Sequence, residues 1–154
     1  MEKKQLPDDF KDFIQCLNAN NVKYLLVGGW AVGMYGQPRA TKDIDFLVSM
    51  DDENLENLQK AFLAFGSPPI NIEKFREKGS VIRIGDSPVQ IEIINRADGI
   101  DIDDCFSRKM VFDVDGIKIN LISKDDLITN KKASGRHNDL ADVENLEYLK
   151  KFIP

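Results

Sequence analysis

Apolar and polar residues recur along this chain with two periods, and the switches between them mark out its elements. Phe10, Phe13, Ile14 and Leu17 fall at i, i+3, i+4 and i+7, so one helix face is predicted over residues 7–20. Pro7 suits a first helical turn, Asp8-Asp9 complement its positive end, and Asn18, Asn20 and Asn21 close it. Residues 23–27 are apolar on both faces, the pattern of a strand central in a sheet. Gly28-Gly29 follows, then a short helical segment over 30–35, a basic link over 37–42 and a strand from Asp43 to Val48. Asp51-Asp52-Glu53 opens a helix striped by Leu55, Leu58, Phe62 and Phe65, which Gly66-Ser67-Pro68-Pro69 stops. Residues 71–78 are charged and fit a short helix or a loop.

The second half reads in the same way. Strands are predicted over 80–84 and 89–95, joined by Gly85-Asp86-Ser87-Pro88. In the later strand Val89, Ile91 and Ile93 take one face, and Gln90, Glu92 and Ile94 the other. An acidic loop spans 97–104. Strands over 111–114 and 117–121 flank Asp115-Gly116, a hairpin signal. Ser123 with Asp126 forms a capping box opening a helix over 124–133. Gly135 breaks that helix, and a last one runs over 138–150 with Leu140, Val143, Leu146 and Leu149 as its stripe. The expected fold is α/β (α+β), a mixed sheet flanked by helices in a single domain over 1–154.

Composition narrows the class without choosing within it. With 154 residues, 42% hydrophobic and 31% charged, the chain matches a soluble globular protein with one core. No apolar run is long enough for a membrane span, and MEKKQLPDDF lacks a signal-peptide core, so a cytoplasmic location is expected. Cys16 and Cys105 lack metal-type spacing and read as reduced, buried thiols. His137 is the one histidine, which excludes histidine triads and histidine-rich metal sites. A net charge of −5 argues against a dedicated duplex-DNA binder, while leaving room for RNA at a local basic patch or a small cationic acceptor.

Chemistry concentrates between Leu25 and Val48. Asp43 and Asp45 sit at i and i+2 of a strand and so share a face. Carboxylates that close repel, each raising the other's pKa, unless a cation lies between them. Mg²⁺ (or Mn²⁺) suits oxygen ligands and keeps positions open for phosphate. Gly28-Gly29 lets the backbone approach a ligand, and the helix start behind it offers free N–H groups to an anion. A metal pair beside a phosphate cradle equips a site for phosphoryl or nucleotidyl transfer. The same D-x-D spacing recurs at Asp101/Asp103 and Asp113/Asp115, but neither pair follows a glycine turn and leads a buried strand. Glu92, set among isoleucines and valine, is the natural third acid, or else an outward-facing residue on a half-solvated strand. Arg39, Thr41 and Lys42 precede the carboxylates and would grip a triphosphate or a nucleic-acid backbone, or else balance the acids as a solvated loop. Trp30 and Tyr35 are aromatic beside the turn, as stacking platforms or core.

The run GGWAVGMYG…RATKDIDFLV resembles the nucleotidyltransferase fold of the DNA polymerase beta-like superfamily. Its wording is similar to small bacterial nucleotidyltransferases of the AbiEii toxin type and, more distantly, to lincosamide-modifying adenylyltransferases. The resemblance implies that Asp43, Asp45 and Glu92 hold the catalytic metals and that Glu92 draws the proton from the attacking hydroxyl. Nucleotide contacts are expected at Gly28, Gly29, Trp30, Arg39, Thr41 and Lys42 and, as the resemblance implies, at Lys131. Lys131 is matched through ITNKKASGRHNDLADV, where the family's lysine reaches the nucleotide phosphates; Lys131, Lys132 and Arg136 also read as the basic end of a helix stabilising its dipole, with Asp139 an acid near the start of the next. Many relatives carry Ser after the two glycines; here Trp30 leaves that contact to backbone N–H groups. The expected function is metal-dependent transfer of a nucleoside monophosphate from an NTP to an acceptor hydroxyl. RNA or tRNA in a toxin–antitoxin setting is the favoured acceptor, with a protein partner (antitoxin) or homodimer completing the site. The alternatives are a small-molecule (antibiotic) adenylyltransferase and a non-catalytic nucleotide- or protein-binding relative.

Overall fold

The computed structural model describes residues 6–36, 43–86 and 89–152. Arg39, Thr41, Lys42 and the Ser87-Pro88 part of the turn lie outside these residues, as do the side chains of His137 and Leu149. The chain runs α1 (Asp8–Ala19), β1 (Tyr24–Val27), α2 (Gly28–Met34), β2 (Asp43–Val48), α3 (Asp52–Phe65), α4 (Ile72–Phe75), β3 (Val81–Ile84) and β4 (Gln90–Ile94). It continues through α5 (Ile102–Cys105), a 3₁₀ turn (Phe106–Arg108), β5 (Met110–Val114), β6 (Ile117–Leu121), α6 (Lys124–Ser134) and α7 (His137–Phe152). The strands form one mixed sheet in the order β3-β4-β2-β1-β6-β5. β1/β6 and β2/β4 pair parallel, and the other neighbours pair antiparallel. This is the mixed, helix-flanked sheet expected from the sequence.

Each side of the sheet has its own cover. Phe13 of α1 packs on Phe46 of β2 and on Phe62 and Phe65 of α3, so α1 and α3 close one face with an aromatic core. Burying each such ring removes apolar surface worth about 2–3 kcal/mol from water. Across β2, Asp43, Asp45 and Leu47 point to the opposite face. Asn54 fixes this corner. Its amide donates to Lys23 O (3.1 Å) and Ser49 O (2.7 Å), and its Oδ1 accepts from Lys23 N (2.6 Å). That clamp ties the start of β1, the end of β2 and the first turn of α3 together, which holds the register in which Val27 opposes Asp45.

Several sequence expectations change in detail. The glycines are the first turn of α2 rather than a turn before it. The acidic loop contains α5, capped by Asp101, whose Oδ1 accepts from Asp103 N (3.1 Å), so this D-x-D pair acts in capping. Asp113 likewise accepts from Gly116 N (2.9 Å) at the hairpin turn. Ser123 Oγ accepts from Asp126 N (3.1 Å), but the Asp126 carboxylate is taken by Arg108 Nε (3.0 Å) and Nη2 (3.1 Å). Among the described side chains of α7, Asp139, Asp142, Val143 and Leu146 are buried, while Leu140 is 52% exposed. The inward face thus excludes Leu140, because two acids are drawn inward by a buried cation on α6. Cys16 is half-buried and Cys105 buried, both as free thiols. Among the described residues, no helix is long and apolar enough to cross a membrane.

Candidate active site

Four residues stand in a row across four strands. β4 pairs with β3 so that Glu92 opposes Arg83, with β2 so that Asp45 opposes Glu92, and β1 places Val27 opposite Asp45. Directly opposed residues share a sheet face, with strands about 4.8 Å apart. Asp43 stands two residues along β2, on the same face and opposite Gln90. The structure therefore brings Asp45 and Glu92 side by side and keeps Asp43 near them.

Gly28 joins the end of β1 to α2 at φ +70°, in the left-handed region. A Cβ at this position would run into Asp45 Oδ2, so the glycine is required both by its backbone and by the carboxylate against it. Gly28→Ala is expected to cost roughly 1–2 kcal/mol from the backbone alone. It also pushes Asp45 out of place, so thermal unfolding should register a fall of several degrees. A variant that melts with the wild type would show that the backbone and carboxylate both relax freely.

Asp45 carries the electrostatic stress of the site. Burial pushes its carboxyl up to about 7, helped by the hydrogen bond to Glu92 and by the charges of Glu92 and Asp43; Lys131 works the other way. Its Oδ1 is buried and takes no hydrogen bond among the described residues. Glu92 is held on its other side by Arg83, whose Nε donates to Oε1 at 3.0 Å. Among the described residues no three acidic, histidine or cysteine side chains converge closely enough to ligate an ion as they stand. An unsatisfied buried carboxylate oxygen beside a second carboxylate nevertheless matches the donor set of a hard divalent cation.

Beside Asp45 lies a cleft of about 240 Å³, lined by Gly28 on the β1 side, by Ile94 and Arg96 at the end of β4, and by Lys131 and Arg136. Lys131 is buried and bridges Asp139 (3.0 Å) and Asp142 (3.3 Å). Burial would push Asp139 up, but hydrogen bonds from Ser134, Arg136 and Lys131 prevail and hold it at about 2. A lysine ammonium has three donors, and these contacts engage two of them. Trp30 is buried and its ring packs edge-to-face with Phe10, as core rather than as an open stacking platform. Tyr35 donates to Ile122 O (2.6 Å) and packs on Phe112, away from a stacking role. Sequence reading did not single out Asp142, Arg96 or Arg83. Asp142 had a signal in its i+3 spacing from Asp139, and Arg96 in its place directly after the strand bearing Glu92.

Residues 4–152 match a protein family described as a nucleotidyltransferase of unknown function (DUF6036). No curated protein matches the chain. Among solved structures, lincosamide antibiotic adenylyltransferase LnuA in its lincomycin-bound form is similar in fold, with a TM-score of 0.57 at 15% identity, covering 96% of this chain and 99% of LnuA. An antigenic nucleotidyltransferase-like protein from Paracoccidioides brasiliensis gives 0.55 at 17%, covering 95% of this chain and 79% of that one. A Thermotoga maritima protein gives 0.51 at 18%, covering 94% and 89%.

Proposed function

Since the chain belongs to the DUF6036 nucleotidyltransferase family, we propose that it moves a nucleoside monophosphate from an NTP to an acceptor hydroxyl, with RNA the favoured acceptor. The observation that carries this reading is Asp45, a half-buried carboxyl between Gly28 and a second carboxylate, with one buried oxygen that takes no hydrogen bond among the described residues. The residues divide by task. N–H groups in the first turn of α2 lack intrahelical partners and face the triphosphate. Lys131 and the Arg136 guanidinium add positive charge along the cleft wall. Asp45 and Glu92, with Asp43 beside them, would hold divalent metal, Mg²⁺ or Mn²⁺. When bound, the metal supplies Lewis acidity and lowers the pKa of the acceptor hydroxyl. Glu92 accepts the hydroxyl proton, the acceptor oxygen attacks the α-phosphorus in line, and pyrophosphate leaves from the glycine side.

The AbiEii-like wording around Gly28 and Asp45 supports a toxin–antitoxin setting, with an antitoxin partner or a second copy walling the open cleft. A small-molecule acceptor is the second reading, favoured by the near-complete coverage of the lincosamide enzyme. The test is transfer of α-labelled nucleotide, each triphosphate separately, with Mg²⁺ or Mn²⁺, to total RNA and to a small-molecule pool. Label in RNA that requires Asp43, Asp45 and Glu92 is the expected result. Label only in the small-molecule pool replaces RNA as acceptor. No label in either, from folded protein, leaves a non-catalytic nucleotide- or protein-binding relative.

A further inference from the structure

The geometry points to Arg83 as the residue that reads the acceptor, by binding the phosphate next to the attacking hydroxyl of a nucleic-acid strand; this rests on the nucleotidyl-transfer reading above. The row across the sheet is ordered Arg83, Glu92, Asp45, Val27, with Gly28 following Val27 at its far end. In-line displacement needs the incoming oxygen and the departing pyrophosphate on opposite sides of the reacting phosphorus. With the triphosphate at the Gly28 end, the acceptor must enter from the Glu92 end. Arg83 is the cation in register there.

Its local chemistry suits that place. The Arg83 side chain is 60% exposed and that of Glu92 20%. Only Nε is engaged, with Glu92 Oε1, and neither terminal nitrogen has a hydrogen-bond partner among the described residues. The carboxylate thus anchors the guanidinium, and its outer donors form a fork matched to two phosphate oxygens. Among the described residues β3 is an edge strand, and no further strand covers this approach. On the same face, Val81, opposite Ile94, is exposed at 36% and offers an apolar shelf beside the charge for a sugar or base. An acceptor without a phosphate leaves the fork empty, so Arg83 distinguishes a nucleic-acid end from a neutral small molecule.

The test compares wild type, Arg83→Gln and Arg83→Lys on three probes. These are a short single-stranded RNA with a free 3′-hydroxyl, the same RNA with its last linkage an uncharged methylphosphonate, and a free nucleoside. Acceptor KM is measured alongside NTP KM and kcat, and RNA binding is followed by fluorescence anisotropy with Ca²⁺ replacing Mg²⁺. Arg83→Gln is expected to weaken binding of the charged RNA and raise its KM by about tenfold or more, the scale of one charge-assisted phosphate contact. It should leave NTP KM unchanged and have little effect on the methylphosphonate RNA; Arg83→Lys should recover part of the loss. An equal effect on charged and uncharged acceptors, or a fall in kcat alone, overturns the proposal and leaves Arg83 acting only through Glu92. Unchanged RNA kinetics in Arg83→Gln overturns it while the transfer reading stands. Wild-type protein that transfers to none of the probes overturns the proposal, and it overturns the transfer reading as well when total RNA and the small-molecule pool also stay unlabelled.

Discussion

Asp45→Asn is expected to abolish transfer, by roughly a thousandfold or more, and at the same time to raise the melting temperature of the metal-free protein above pH 7. Its two effects have one source. The Asp45 carboxyl is held at about 7 by burial first, then by the hydrogen bond to Glu92 and the nearby acidic charges. Its ordinary value is 3.8, so the folded protein binds this proton more tightly than the unfolded chain. For such a group the slope of unfolding free energy with pH is negative between those values. The stabilisation is complete below the unfolded pKa and is lost as pH rises through about 7. At pH 8 the wild type carries the ionised group at a cost. Asn has no charge to bury and its amide can donate to Glu92 in place of the proton.

Allowing for water entry and relaxation, the gain is about 1–2 kcal/mol, or roughly 3–6 °C in Tm. The wild-type minus variant difference should vanish towards pH 4, which removes the contribution of other titrating groups. Added Mn²⁺ or Mg²⁺ should reverse the order, raising the wild-type Tm by mass action and leaving Asp45→Asn unmoved. A variant that is destabilised at pH 8, or that still gains stability from metal, would assign Asp45 a structural role.

Lys131→Met should produce the largest loss of stability, about 3 kcal/mol and on the order of 10 °C in Tm. The lysine is 5% exposed and lies between Asp139, at 2%, and Asp142. Met matches its volume, so the packing is retained and the loss is electrostatic. Ser134 and Arg136 still serve Asp139, whereas Asp142 loses a contact of 3.3 Å. A double variant, Lys131→Met with Asp142→Leu, should recover part of the loss, because the two residues are directly coupled. Asp139 lies at about 2 in the folded protein, so its contribution is present above the ordinary carboxylate value and disappears as pH falls from about 4 towards 2. Circular dichroism during acid titration should place the variant's unfolding at a higher pH than the wild type's. Equal stability of Lys131→Met and wild type would mean that water already screens the pair.

The sequence was most readable where local chemistry decides structure. Asp115-Gly116 adopts φ 54° and 83°, as the hairpin signal demands, and the four buried residues of β1 follow from its unbroken apolar run. Asp45 and Glu92 were legible because each acid interrupts a strand of apolar residues. What could not be read is what depends on register. Arg83 meets Glu92 only through the particular alignment of β3 on β4, and nothing in either strand alone states it. The inward turn of Asp139 and Asp142 depends on Lys131 crossing from α6 beyond the Gly135 break. A hydrophobic stripe therefore placed Leu140 inside, where a buried charge had already taken the face.

The parallel seat of β6 against β1 also sets an order of assembly. Leu26 lies beside Leu121, with most of the chain between them, whereas the Arg83–Glu92–Asp45–Val27 row needs nothing beyond β4. A chain leaving the ribosome can thus build its row of acids before α6 and α7 have been made. During that interval β1, apolar on both faces, has one hydrogen-bonding edge open, the kind that captures strands from other chains. Synthesis of β6 closes the edge, the helix that follows brings Lys131 to the cleft beside Asp45, and α7 then supplies the Asp139 and Asp142 that hold it.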